Sequence, residues 1–172
     1  MTLAIGEILI REVQAGELPA LHHVIERAFR GKTARAGWSH EGAVVPGRRI
    51  EMSVLEAILN DDHELLLGAF IENKPVGCVR ITQKDESVCE IGLLTVDPDT
   101  QAMGLGDTLL TAAERKALDR FGASLTELSV IIQQPKLTEY YKRRGYQITG
   151  RTKPYPIQID PPMEFAIFQK VL

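Results

Sequence analysis

Leu94-Thr95-Val96-Asp97-Pro98-Asp99-Thr100-Gln101-Ala102-Met103-Gly104-Leu105-Gly106 is the stretch that decides the fold. An apolar, β-branched run meets a proline turn, and a Q-x-x-G-x-G segment then opens a helix. The first turn of a helix leaves backbone N–H groups unpaired and carries partial positive charge, so anions dock there. Glycine at 104 and 106 removes the Cβ atoms that would hold a bulky diphosphate away. The spacing is not that of a Walker loop, which needs G-x-x-x-x-G-K-[ST], and no lysine follows Gly106. The third glycine of the dinucleotide fingerprint is also missing. Taken alone, the two glycines also fit a tight turn with no ligand.

Upstream, residues 64–71 and 75–83 read as strands joined by the turn Glu72-Asn73-Lys74, and residues 88–96 as a third strand. The three should form an antiparallel meander. Residues 8–13 read as a first strand, and Leu18, Leu21, Val24, Ile25, Ala28 and Phe29 recur at helical spacing. A second short helix is expected over 53–60, with Ser53 and Glu56 spaced as a capping box.

Downstream, a helix runs from Gly104 to Gly122, with Leu109, Ala113, Ala117 and Phe121 as its buried stripe. A strand over 125–132 and a short helix over 135–144 follow. Strands over 146–151 and 165–171 close the sheet, separated by a proline-rich loop over 153–162. No repeat or linker interrupts the 172 residues, so one domain is expected.

Composition narrows the function. With 20 basic and 23 acidic side chains, the net charge of −3 lacks the basic footprint of a nucleic-acid binder. No run approaches the roughly 18 apolar residues of a membrane span. The first ten residues, interrupted by Glu7, do not read as a signal peptide, so a cytoplasmic protein is expected. Cys78 and Cys89 sit in apolar runs without C-x-x-C spacing and read as small buried side chains. His22 and His23 diverge by about 100° on a helix, and no metal site is visible.

The V-x-P turn, Q-x-x-G-x-G, helix, strand and Tyr140-Tyr141…Gly145-Tyr146 succession resembles the GNAT superfamily of acetyl-CoA-dependent N-acetyltransferases. The likeness spans residues 64 to 151 in order and spacing. It implies a mixed α/β fold whose mostly antiparallel sheet splays between the strands at 88–96 and 125–132. Acetyl-CoA is then the acyl donor: pantetheine beside Leu94, Thr95 and Val96, diphosphate on the amides of Gln101, Ala102, Met103, Gly104, Leu105 and Gly106. Gln134 stands where the family often has an asparagine contacting the cofactor, Leu137 replaces a usual alanine and Gln101 an arginine. Homodimers are common in the superfamily.

By the same resemblance Tyr141 matches the residue that protonates the departing CoA thiolate, though a tyrosine there also packs along a pantetheine channel. The backbone N–H of Leu94 is the implied oxyanion donor. Glu90, upstream on the same strand, reads either as the base that deprotonates the amine or as an outward-facing charge. His40, Glu41 and His63 are weaker candidates for that base. The acceptor site is expected around Trp38, His40 and Glu41, within Gly37-Trp38-Ser39-His40-Glu41 and close to Arg48-Arg49. This run, like Gly150 to Pro156, resembles a poorly characterised branch of the superfamily and names no acceptor. Two other readings stay open: an acyl-CoA-binding module without catalysis, and a phosphate-binding domain for another nucleotide.

Overall fold

Glu72 and Asn73 both adopt left-handed backbone (φ 49° and 62°), forming the two-residue turn whose twist matches flanking antiparallel strands. That hairpin joins β2 (Glu64–Ile71) to β3 (Lys74–Gln83), and the sheet grows outward from it. The computed structural model describes residues 6–30 and 47–172, including all of their side chains except those of Gln101 and Ala102.

β1 (Ile8–Glu12) lies against β2 and β4 (Val88–Val96) against β3, all antiparallel. β5 (Leu125–Ile131), β6 (Gln147–Pro154) and β7 (Glu164–Val171) complete a seven-stranded sheet of order β1-β2-β3-β4-β5-β7-β6. Only the β4–β5 contact is parallel. It is also the shortest, pairing Val88, Cys89 and Glu90 with Leu125, Thr126 and Glu127 before the strands part. The mostly antiparallel sheet splayed at its centre is therefore present.

Residues on β2 alternate between two cores. Leu65, Leu67 and Ala69 face α3 (Leu105–Phe121), while Leu66 and Phe70 face α1 (Leu18–Phe29) and α2 (Met52–Leu59). A strand buried on both faces reads as a continuous apolar run, which is what E-L-L-L-G-A-F-I is. α4 (Pro135–Arg143) packs with the α3 layer through buried Tyr140. α1 and α2 pack mainly on β2 to β4, and Glu127 and Ser129 on β5 lie on the sheet face opposite α3.

Two local expectations need correction. α2 starts at Met52 with Glu51 as its cap, so Ser53 is inside the helix and forms no capping box. The start is fixed from outside: the Glu26 carboxylate accepts from the N–H groups of Arg49 and Ile50, and Glu51 O takes the N–H of Val54. β6 also runs on to Pro154, because Thr152, Lys153 and Pro154 still oppose Ala166, Phe165 and Glu164. Proline is tolerated there since β6 is the sheet edge.

Candidate active site

The cleft between β4 and β5 is made by backbone before any side chain enters it. Cys78 of β3 pairs with Thr95, yet Arg80, two residues on, pairs with Gly92 three residues back. β4 thus carries one extra residue, a bulge that leaves Leu93 and Leu94 without Cα partners in β3. Leu93 has φ 52°, a conformation costing a branched residue about 1–2 kcal/mol. Its side chain is buried among α1, α2 and Cys78, offsetting about 1.5–3 kcal/mol. Its carbonyl accepts from the buried Thr95 hydroxyl at 2.9 Å and from the Cys78 thiol at 3.6 Å. The bulge switches Leu94 to the α3 side, where it packs partly buried beside the open cleft.

Opposite stand Leu128 to Ile131 of β5, with Gln134, Leu137 and Tyr141 at one rim and Phe29, Arg49 and Phe165 at the other. Tyr141 is held edge-on by Tyr140 and Tyr146, at 5.1 and 5.8 Å between ring centroids. Burial, reinforced by Tyr140, raises its phenol above the ordinary value, so it stays protonated through the physiological range. Tyr146 is itself anchored: its hydroxyl donates to Glu114 at 3.0 Å and lies 3.1 Å from that of Thr126. Lys170 completes the pair with Glu114 at 2.9 Å.

Where β4 ends, Asp97 caps a 3-10 turn over Pro98–Met103 by accepting from Asp99 N at 3.0 Å. Arg27 of α1 spans both carboxylates, 3.0 Å from Asp97 and 3.1 Å from Asp99. Gly104 then turns the chain into α3 with φ 72°, which only glycine adopts at no steric cost. The first N–H to bond back within α3 is that of Thr108, to Gly104 O at 3.1 Å. The N–H groups of Leu105, Gly106 and Asp107 therefore have no acceptor inside the helix. Asp107 would repel an anion at this point, but Arg144 pairs with it at 2.6 Å and stacks on Tyr140 at 3.5 Å. This end of α3 fits a diphosphate.

Glu90 lies at the closed end of the cleft, opposite Thr82 on β3 and Glu127 on β5, with Lys84 at 3.7 Å. Glu127 was not foreseen; only the β4–β5 register brings it beside Glu90. Burial pushes Glu127 up, but Arg151 at 2.7 Å and Gln169 at 2.8 Å outweigh it and hold its carboxyl below the usual range. A carboxylate so engaged is a poor general base.

Thr95 and Val96 are buried, Leu94, Gln134 and Tyr141 line the cleft, and Met103 to Gly106 form the end of the 3-10 turn and the start of α3. Gln101 and Ala102 belong to the same turn. Trp38, His40 and Glu41 lie outside the described residues. His63 sits elsewhere, bonded through Nδ1 to Gln83 at 2.9 Å. Both cysteines are free and buried; burial pushes the Cys78 thiol up to about 12, which rules it out as a thiolate nucleophile. Among the described residues no cluster of His, Cys, Asp and Glu could hold a metal ion, and no helix is long and apolar enough to cross a membrane.

Residues 20–146 match the model of the Acetyltransferase (GNAT) family. No curated sequence matches the chain. Among solved structures it is similar to the ribosomal-protein-S18-alanine N-acetyltransferase of Escherichia coli, with 17% identity, TM-score 0.73 and coverage of 96% of this chain and 94% of that one. YncA, a putative acetyltransferase of Salmonella typhimurium solved with acetyl-CoA, gives 16%, 0.72, 97% and 95%. The PaiA N-acetyltransferase of Thermoplasma acidophilum, solved with coenzyme A, gives 19%, 0.67, 96% and 99%. At such identities the likeness is one of fold.

Proposed function

This chain belongs to the GNAT family of acetyltransferases, and we propose that it moves an acetyl group from acetyl-CoA to a primary amine by direct attack within a ternary complex. The observation that carries the reading is the cleft itself: a bulged β4 and a neutral tyrosine meet in one opening, and the chain leaving β4 runs directly into an anion-ready helix start.

The α3 start and the Gly104 turn hold the diphosphate, and the backbone of Leu94 to Val96 guides pantetheine into the splay. The Leu94 N–H polarises the thioester carbonyl; a preorganised donor of this kind lowers such a barrier by about 3–4 kcal/mol. Glu90 takes the ammonium proton, directly or through water, freeing the nitrogen lone pair for attack. As the C–S bond breaks, Tyr141 donates its proton to the sulfur, and the second proton that the attacking nitrogen sheds on becoming an amide returns to the Tyr141 phenolate through water. On ordinary pKa values the transfer to sulfur is uphill, from about 10 to about 8.5. The same dry surroundings that raise the phenol raise the thiol as well, which narrows the gap.

A thermal melt with and without acetyl-CoA tests the donor, with ATP as control. At one hundred times the dissociation constant, binding adds about 2.7 kcal/mol, or about 5–11 °C for a chain this long. A rise with acetyl-CoA alone, followed by free-thiol release with an amine, separates a transferase from a mere acyl-CoA-binding module. No rise at millimolar acetyl-CoA sinks the reading.

A further inference from the structure

The Tyr141 hydroxyl makes no hydrogen bond to the described residues, so its aim into the cleft depends on what packs against its ring. The rings of Tyr140 and Tyr146 meet it at 82° and 77°, with centroids 5.1 and 5.8 Å away. Tyr146 also holds its backbone, donating an N–H to the Tyr141 carbonyl at 3.1 Å. The two neighbours differ in what stands behind them. Tyr140 is backed by Arg144, stacked on its ring at 3.5 Å. Tyr146 is 2% exposed and is backed by a polar network drawn from three other elements.

The direction of that network follows from its chemistry. A carboxylate only accepts, so Tyr146 donates to one oxygen of Glu114 at 3.0 Å and Lys170 to the other at 2.9 Å. With its own proton committed, the Tyr146 oxygen accepts from the buried Thr126 hydroxyl at 3.1 Å. Burial raises the Tyr146 phenol well above its ordinary value, so the proton stays in this network and is not offered to a thioester. Glu114 belongs to α3, Thr126 to β5 and Lys170 to β7. Thr126 opposes Cys89 within the three residues that β5 shares with β4, so the ring is tethered at the point where the cleft begins.

A phenylalanine would fill the same space without burying polar groups that must all be satisfied together. What the hydroxyl adds over a phenyl ring is a fixed orientation. We propose that Tyr146, held by Glu114 and Thr126, is a positioning residue for acyl transfer: it fixes the Tyr141 ring so that the Tyr141 hydroxyl meets the departing thiolate. This rests on the reading of Tyr141 as the proton donor and adds the group that aims it. Tyr146 touches no reacting atom and acts only through Tyr141. A donor misplaced by about 1 Å loses about 10²-fold in rate, so small freedom in the supporting ring is felt at the sulfur.

The test uses the full chain with acetyl-CoA and reads free-thiol release with lysine, spermidine or a peptide beginning with alanine, whichever is acetylated fastest. Tyr146→Phe keeps the ring and drops only the hydroxyl; kcat should fall about 10- to 100-fold while KM for acetyl-CoA stays within about threefold. Glu114→Gln, which still offers an oxygen to the hydroxyl, should keep more of kcat than Glu114→Leu. The melting shift with acetyl-CoA, kept in each variant, shows that it folds. The double variant Tyr141→Phe, Tyr146→Phe should be no slower than Tyr141→Phe alone, because a ring with no proton to give has nothing to aim. Parental kcat in Tyr146→Phe, where Tyr141→Phe has lost it, overturns the inference and leaves Tyr141 the acid. A double variant slower than Tyr141→Phe by the full Tyr146→Phe factor also overturns it, since Tyr146 then acts apart from Tyr141. Full activity in Tyr141→Phe overturns both readings. NMR of ring-labelled tyrosines with acetyl-CoA bound needs no acceptor: the Tyr141 ring should flip faster in Tyr146→Phe, and an equal flip rate overturns the inference.

Discussion

Two halves of one strand behave differently. Below Gly92, β4 is an ordinary central strand: Cys89 and Ile91 face the α3 core, Glu90 faces away, and both neighbours are hydrogen-bonded. Above it, one extra residue shifts the register on β3, and β5 has already left. The lower half holds the sheet together and the upper half holds it open. The chemistry proposed for this chain sits where they meet, because a backbone N–H is available for a substrate only where the ladder has let go of it. The opening is thus a property of strand register, stabilised by the burial of Leu93 and Thr95 rather than by any polar residue that reaches into it.

Gly77→Ala breaks the comparison most severely. A Cβ there would lie 2.5 Å from the Thr95 carbonyl oxygen, a backbone atom of the upper half with nowhere to move. The expected loss is about 3 kcal/mol or more, with acetyl-CoA binding gone, read by chemical denaturation and melting. Should the variant be as stable as the parent, the tight β3–β4 approach beside the bulge is not as described.

Tyr141→Phe removes the proposed proton donor while keeping the ring that packs against Tyr140 and Tyr146. We expect kcat to fall by about 10²- to 10⁴-fold, with the acetyl-CoA melting shift retained. Full activity in the variant would leave Tyr141 a packing residue.

Gly92→Ala sharpens the contrast with Gly77. Nothing lies within 4 Å of the position its Cβ would take, so stability should hold or rise by about 0.4–1 kcal/mol. Yet Gly92 lines the cleft, and a methyl there should weaken acetyl-CoA or acceptor binding by about tenfold. Titration calorimetry beside a melt separates the two effects, and an unaltered affinity would move the substrates away from this wall.

Arg27→Met is the mildest. It removes the fork joining α1 to Asp97 and Asp99 at the end of β4. A partly exposed pair of this kind contributes about 0.5–1 kcal/mol, so we expect a small drop in melting temperature and an acetyl-CoA affinity a few-fold lower. A loss confined to stability would make the fork a structural tie only.

Much of this was legible from the chain alone. The continuous apolar run of β2, the alternation of β4, the Glu72-Asn73 turn and the apolar stripe of α3 follow from local stereochemistry, and each lies within a residue or two of its expected bounds. Gly104 is a case where the sequence speaks plainly: a left-handed residue opening a helix asks for glycine. The capping box at Ser53 failed for the opposite reason. Its cue was local, but the start of α2 is set by Glu26, more than twenty residues earlier. Arg144 left no mark as a site residue either, because its partner Asp107 comes from another element.

By itself the sequence determined which segments are strands and helices, where the anion-binding helix begins, and the family to which the chain belongs, since these depend on neighbours a few residues apart. Only the tertiary structure decided the rest: the one-residue slip that leaves Leu94 without a partner in β3, and the pairing that puts Glu127 beside Glu90. Register, long-range ion pairs and the face a side chain ends on are fixed by contacts between segments far apart in the chain, and no local pattern encodes them.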